Sequence, residues 1–355
     1  MAERDSMANA LQQPVGFNAA AINPTVLYEN DDRVFDRQEE IQWLERRYIS
    51  KGSFATVYSV VHPTSGEKFV QKQIKKRSRV PMAEFRRWIE NEIEIIRKVS
   101  SNHHMVKIFA QYWLEADGTH DLVLYPFANQ GNLRDLLAAF STSPDQTAIL
   151  RRIFGCLASS LDFLHTREIF ARHKDIKPEN LLIHNGQLVV TGFFGIAQDE
   201  EPRNGKADVF SAGLIYLDIL AAFLPPLKPI VDEMDTYSMP TQMAVLEKVQ
   251  AILYMHVALE NTGPISPIIF MVTAAMLCFH PIDRPPAAEV RQRVGLCQEL
   301  FCDRCSFESQ SALLIQRSPF DSEFLYVSSA SLDRHLQHLQ HLLAPTHSMP
   351  LFTHF

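Results

Sequence analysis

No apolar run in this sequence is long enough to span a bilayer comfortably. The longest, Pro267 to Phe279, is closed by His280 and reads as a buried core helix. The N-terminus lacks the cationic and apolar regions of a secretory signal, with Glu3 and Asp5 where positive charge would stand. Only five cysteines are spread over 355 residues, an odd number that makes no secreted disulfide framework. Basic residues are not in excess either. The 34 Lys and Arg against 41 Asp and Glu leave a formal net charge of −7, which argues against a dedicated nucleic-acid binder. These absences lead us to expect an intracellular, reduced, soluble protein of the cytoplasm (the nucleus stays open) with no nucleic-acid or membrane partner.

What is present is enough to build a core: 46% hydrophobic and 21% charged residues are ordinary for a folded protein. Residues Met1 to about Asn30 are rich in Ala, Asn, Gln and Ser without sustained period, and we expect a flexible tail over 1–40. Arg46 to Ile49, Thr56 to His62 and Lys68 to Ile74 read as strands, the last two joined by a turn at Pro63 to Gly66. A helical pattern follows from Met82 to Val99, with apolar positions at Phe85, Trp88, Ile93, Ile96 and Val99. Met105 to Trp113 and Asp121 to Phe127 are strand-like. After Gly131 the texture turns helical, over Asn132–Phe140, Asp145–His165, Ala207–Phe223, Gln242–Ala258 and Ile265–Phe279. Strands first and helices after predict an α+β arrangement of a sheet lobe and a helical lobe.

The strongest chemical signal is HKDIKPENLL, His173 to Leu182, which contains Asp175, Lys177 and Asn180 as D-x-K-x-x-N. Phosphoryl transfer needs an acid to orient the acceptor hydroxyl, a cation to neutralise the moving phosphate, and an amide oxygen to hold a metal. Here one of each falls within six residues, where a polar turn between a helix and a strand would require none of them.

The chain resembles the eukaryotic protein kinases from about Ile41 to Val294, with the family's motifs in the family's order. SKGSFATVY (Ser50–Tyr58) resembles the glycine-rich phosphate loop, and FVQKQI (Phe69–Ile74) the strand with the phosphate-binding lysine, Lys72. ENEIEIIRKV (Glu90–Val99) resembles the helix whose glutamate, Glu92, pairs with that lysine. LVLYPFANQGNLRDLL resembles the hinge and following helix, with Leu124 as gatekeeper. ADVFSAGLIYLDIL resembles the central helix, with Asp208 holding the catalytic loop, and DRPPAAEV carries the structural arginine, Arg284. The resemblance implies a two-lobed protein-kinase fold with an N-lobe over 41–127, a C-lobe over 128–297 and a C-terminal extension over 298–355. It implies an ATP-binding cleft lined by Gly52, Val57, Val70, Lys72, Glu92, Leu124 and Leu182, with Tyr125 to Phe127 offering backbone groups to the adenine. Asp175 and Lys177 would be catalytic and Asn180 would hold magnesium. Lys177 implies Ser/Thr acceptors, and the partners would be ATP and a protein substrate or protein partner.

Four departures bear on activity. Ser50 and Ala55 stand where two of the three loop glycines would be, and Val70 replaces the usual alanine, so we expect nucleotide binding to be weakened but not abolished. The metal-binding D-F-G reads VVTGFFGIA, so the aspartate position falls on Gly192 or Phe193, neither of which can ligate magnesium. Asp199, Glu200 and Glu201 are acidic neighbours, read as a solvated loop. Only 12 residues separate Gly195 from Asp208, which removes the A-P-E segment and the floor that receives peptide substrate. Lys174 replaces the arginine of H-R-D, consistent with a lost phosphosite. The expectation is a kinase-family protein with impaired transfer and weak or single-site magnesium; the alternative is a non-catalytic pseudokinase acting as nucleotide-binding scaffold or interaction module. An exon missing from the sequence would also account for the short segment.

Cys302 and Cys305 form a C-x-x-C, preceded by Cys297, with His335 and His338 downstream. A zinc site needs four converging ligands. The long uneven gap and the leucine stripe at Leu332, Leu336, Leu339 and Leu343 favour instead unpaired cysteines and an amphipathic helix packing on the helical lobe or a partner.

Overall fold

Short runs of β-branched and aromatic residues broken by turn residues make up the first part of the chain, and they fold as strands. The computed structural model describes residues 24–52, 55–192, 205–234, 239–260 and 262–306. Strands β1 (Asp32–Phe35), β2 (Glu45–Lys51), β3 (Ala55–Val61), β4 (Lys68–Lys75), β5 (Lys107–Leu114) and β6 (Thr119–Tyr125) form one sheet in the order β1-β5-β6-β4-β3-β2. At the β3–β4 turn Gly66 takes a φ of +69°, a conformation that strains any residue with a Cβ.

The flexible tail expected over 1–40 is too long. Residues 32–35 are β1, which lies parallel to β5 with Asp32 opposite Gln111 and Phe35 opposite Leu114. Polarity misled the sequence reading: β1 buries only Phe35, because an edge strand is held by its ladder of backbone hydrogen bonds more than by apolar burial.

Two units divide the chain. One comprises residues up to Arg77 together with Phe109–Val123; the other comprises Ser78–Ile108 and the residues from Leu124 on. In the first, a partly buried polar network links β2, β4 and β6 with Gln38. Gln71 Nε2 donates to Asp121 Oδ1 at 2.6 Å and to Gln38 Oε1 at 2.9 Å, and Arg46 Nε donates to Gln71 Oε1 at 2.7 Å.

The second unit is helical. Helix α1 (Met82–Val99) buries Phe85, Ile89, Ile93 and Ile96, an i, i+4, i+8, i+11 stripe that keeps one face inward. Trp88, expected on that face, is 48% exposed. Helices α2 (Leu133–Ala138), α3 (Pro144–Leu164), α4 (Lys206–Phe223), α5 (Lys228–Met234), α6 (Met239–Ala258), α7 (Pro267–Met276) and α8 (Ala287–Val294) follow. Their starts carry the expected signals. The Asn132 side chain accepts the Asp135 N–H at the head of α2, and Ser143 accepts the Gln146 N–H with Pro144 in the first turn of α3. The apolar run at 267–279 becomes α7, with Ile269, Phe270, Val272 and Met276 buried, each contributing about 2 kcal/mol of transfer free energy. Among the described residues no helix is long and apolar enough to cross a membrane.

A hairpin unmarked in the sequence reading, β7 (Leu181–His184) and β8 (Gln187–Val190), follows the D-x-K-x-x-N motif. Its two-residue turn is Asn185-Gly186, with φ of +49° and +71°. Asn-Gly between apolar runs is the strongest short-range hairpin signal, and it was present to be read. The architecture is α+β, a sheet lobe and a helical lobe.

Candidate functional site

The loop between α3 and β7 carries the motif, and α4 holds it in place. Asp208, in the first turn of α4, is 2% exposed. Its Oδ2 accepts the His173 N–H at 2.9 Å and its Oδ1 the Lys174 N–H at 2.9 Å, and His165 Nε2 lies 3.1 Å from Oδ2. Burial alone would raise this carboxyl, but the hydrogen bonds from His165 and the two amides outweigh it and hold Asp208 below the usual carboxylate range. The left-handed turn at Lys174, φ +61°, is the geometry that presents both amides to one carboxylate.

His173 is fully buried, with Nε2 2.8 Å from the Thr191 carbonyl. Burial lowers its pKa, with Asp208 opposing. Neutral, with its proton on Nε2, it donates to Thr191 and ties the loop to the residue that follows β8. Thr191 in turn donates its N–H to the Asn180 carbonyl at 3.0 Å.

The three motif side chains meet. Lys177 Nζ lies 2.9 Å from Asp175 Oδ1 and 2.8 Å from Oδ2, while Asn180 Nδ2 donates to the Asp175 carbonyl at 2.7 Å and to Oδ2 at 2.8 Å. With Nδ2 engaged twice, Asn180 Oδ1 is the atom left to face a cation. Gly192 stands beside it at φ +87°, where a Cβ would come within 2.5 Å of Asn180 Nδ2 and 2.8 Å of Oδ1. Residues 193–204, which include Phe193, Phe194, Gly195 and the acidic Asp199, Glu200 and Glu201, lie outside the described residues.

In the sheet lobe, register does the positioning. Val57 pairs with Lys72 and Ser59 with Val70, so Val57, Val70 and Lys72 share one face of β3–β4, while Phe69 and Gln71 take the other. Gly52, exposed at the end of β2, donates its N–H to the Ala55 carbonyl at 2.8 Å. Glu92 in α1 and Leu124 in β6 are each 5% exposed, and Leu182 in β7 is half-buried. Arg284 donates to three backbone carbonyls, those of Cys278 at 2.7 Å, Phe279 at 2.8 Å and Lys206 at 3.2 Å, and stacks over Phe210.

Sequence reasoning missed the Thr191 carbonyl that receives His173, since a backbone acceptor has no sequence signature. It also missed the surroundings of Cys302 and Cys305. Their sulfurs meet His103 and His104, almost 200 residues away, whereas His335 and His338 lie outside the described residues. The cysteines are unpaired, as expected.

Residues 43–206 match the family model of the protein kinase domain. CBL-interacting protein kinase 30 of Oryza sativa subsp. japonica is 27% identical over 206 residues, covering 50% of this chain and 41% of its own length. CBL-interacting serine/threonine-protein kinase 18 of Arabidopsis thaliana is 29% identical over 208 residues, covering 50% and 38%. An Arabidopsis thaliana protein named Probable inactive receptor kinase RLK902 is 24% identical over 235 residues, covering 59% and 35%. The matches thus span about two-fifths of the length of these relatives. Motif, matched domain and the sheet-lobe and helical-lobe architecture of the two-lobed kinase fold agree, and together they support the eukaryotic protein kinase family for residues 43–206, a little under half of the chain.

Proposed function

We propose that this chain binds ATP and that the family reaction, transfer of the γ-phosphoryl to protein Ser or Thr, is impaired in it. The observation that carries this reading is Gly192, a residue without a side chain set against Asn180 at one of the two positions, Gly192 or Phe193, where the resemblance would place the metal-binding carboxylate. The domain bounds proposed are 41–297, with a C-terminal extension from 298, and the setting is inside the cell.

Gly52, Val57, Val70, Lys72, Glu92, Leu124 and Leu182 are the proposed nucleotide residues, with Lys72 for the phosphates and Val57 and Val70 for the adenine. Asp175 would orient the acceptor hydroxyl and take its proton as that oxygen bonds to the γ-phosphorus and the bond to the β-phosphate oxygen breaks. Lys177, already against Asp175, would stabilise the transferred charge. Relatives named as serine/threonine kinases support the acceptor class.

Protein kinases use ATP with magnesium, which spreads the charge of the terminal phosphates. Among the described residues the donor set here is Asn180 Oδ1 beside an Asp175 carboxylate engaged by Lys177 and Asn180. That set does not fit a cation shared with a second carboxylate, so magnesium is proposed as weak or single-site at Asn180, and no step is routed through it. Loss of one charge-stabilising group of this kind costs roughly three orders of magnitude in rate.

The second reading is a pseudokinase scaffold that presents its nucleotide-bound form to a protein partner. The closed hydrogen bonding of Asp175 favours it, as does a relative whose name includes the word inactive. Thermal denaturation with ATP, with and without magnesium, and radiolabel transfer to generic basic proteins test both, with Lys72→Met as control. A Lys72-dependent Tm increase with no transfer above the control gives the scaffold; slow Lys72-dependent transfer gives the impaired kinase. Transfer at ordinary kinase rates overturns the proposal, and so does the absence of any ATP-induced shift.

A further inference from the structure

We propose that His103, His104, Cys302 and Cys305 form a structural zinc site that clamps the segment after α8 onto the loop between α1 and β5.

Two imidazoles and two thiols converge there, with all four candidate ligand atoms within 4.8 Å of one another. The nitrogen–sulfur separations are nearly uniform: 3.4 Å for His103 Nε2 to Cys302, 3.5 Å for His103 Nε2 to Cys305, 3.6 Å for His104 Nε2 to Cys302 and 3.2 Å for His104 Nε2 to Cys305. A tetrahedral ion with metal–sulfur bonds of about 2.3 Å and metal–nitrogen bonds of about 2.0–2.1 Å sets its nitrogen and sulfur ligands about 3.6 Å apart. Each histidine faces both sulfurs at that spacing, as the edges of one tetrahedron require.

The surroundings fix the ligands before an ion arrives. His104 Nδ1 lies 2.8 Å from the Leu188 carbonyl, so its proton sits on Nδ1 and the Nε2 lone pair points at the sulfurs. The backbone of His104 is held on both sides: its N–H donates to Asn102 Oδ1 at 2.8 Å, and its carbonyl accepts the Val190 N–H at 2.6 Å. Cys302 and Cys305 are 4% and 0% exposed. Their segment is seated on α3, where Gly155 leaves room for the Leu300 carbonyl and the Phe301 ring, and where Cys156 Sγ accepts the Cys302 N–H at 3.4 Å. A closed set of two thiolates and two imidazoles, His103 half-buried and the other three buried, selects zinc over the oxygen-seeking calcium and magnesium, and its four protein ligands leave no open position for catalysis. The site uses none of the residues assigned to phosphoryl transfer and stands whether or not the chain is an active kinase.

The test uses the full chain, produced in zinc-supplemented medium and purified without chelator, with metal measured by inductively coupled plasma mass spectrometry. The expected result is about one zinc per chain. Cys305→Ser and His104→Ala should lose most of that metal, while Cys278→Ser should keep it. If the ligand variants do not fold, replacement of zinc by cobalt in the wild-type chain decides the matter. Tetrahedral visible bands with thiolate charge transfer support the site. A metal-free wild-type chain, full zinc in both ligand variants, cobalt without thiolate bands, or a Cys302–Cys305 disulfide in anaerobically purified protein each overturns it.

Discussion

Gly192 lies so close to Asn180 that a β-carbon on it would meet the amide nitrogen at 2.5 Å, in a backbone conformation of φ +87° that disfavours side chains. An aspartate cannot simply be restored at this position, because Asn180 must first give way, and Asn180 is hydrogen bonded twice to Asp175. Gly192→Asp and Gly192→Ala are each expected to lose about 1–3 kcal/mol. Urea unfolding of the three proteins checks this; equal midpoints would show that Asn180 moves freely.

Asp208 anchors the loop that carries the D-x-K-x-x-N motif, and its removal takes away the acceptor of the buried His173 amide. Asp208→Asn is expected to cost about 3 kcal/mol at neutral pH. The pH dependence has a definite sign. A carboxyl held below its unfolded value stabilises the fold fully above about pH 4, and that contribution disappears as pH falls through the lower folded value. Wild type should therefore show an acid limb below pH 4 that is shallower in Asp208→Asn, as read by circular dichroism melts from pH 2.5 to 6.

Asp121 runs the other way. Burial, opposed by the hydrogen bond from Gln71, raises its pKa to about 7. The folded state then holds a proton that the unfolded chain releases, so stability falls as pH rises from about 4 to about 7, by up to about 1.4 kcal/mol per unit. Asp121→Asn should flatten that slope and melt above wild type at pH 8. A wild-type melting temperature that is level from pH 5 to 7, after allowance for other groups, would contradict it.

Gly155 sits inside helix α3, where alanine ordinarily stabilises by about 1 kcal/mol. Here a Cβ would come within 2.7 Å of the Phe301 ring and closer still to the Leu300 carbonyl, both on the segment that carries Cys302. Gly155→Ala is thus expected to destabilise by about 1–3 kcal/mol. It should also reduce zinc content, through displacement of the cysteines. A stabilised variant with unchanged metal would refute the packing argument.

The order of strands and helices was legible because each element declares itself within a few residues. Alternation marks β3 and β4, the stripe from Phe85 to Val99 marks α1, and the apolar run marks α7. The D-x-K-x-x-N motif was legible for the same reason: Asp175, Lys177 and Asn180 meet across a single turn. Strand β1 was not, since its polar residues gain their place only by pairing with β5, some 75 residues on. Trp88 shows the limit of periodicity, which gives the faces of a helix but not how far the partner surface extends.

Composition and local pattern were sufficient to point to the kinase resemblance and the α+β class, because those depend on residue identities and short spacings. The fold alone brought Asp208 to the amides of His173 and Lys174, set Gly192 against Asn180, and gathered His103 and His104 around two cysteines near residue 300. Such meetings are made by chain closure over tens to hundreds of residues, and no short-range preference encodes which distant groups will share a buried space.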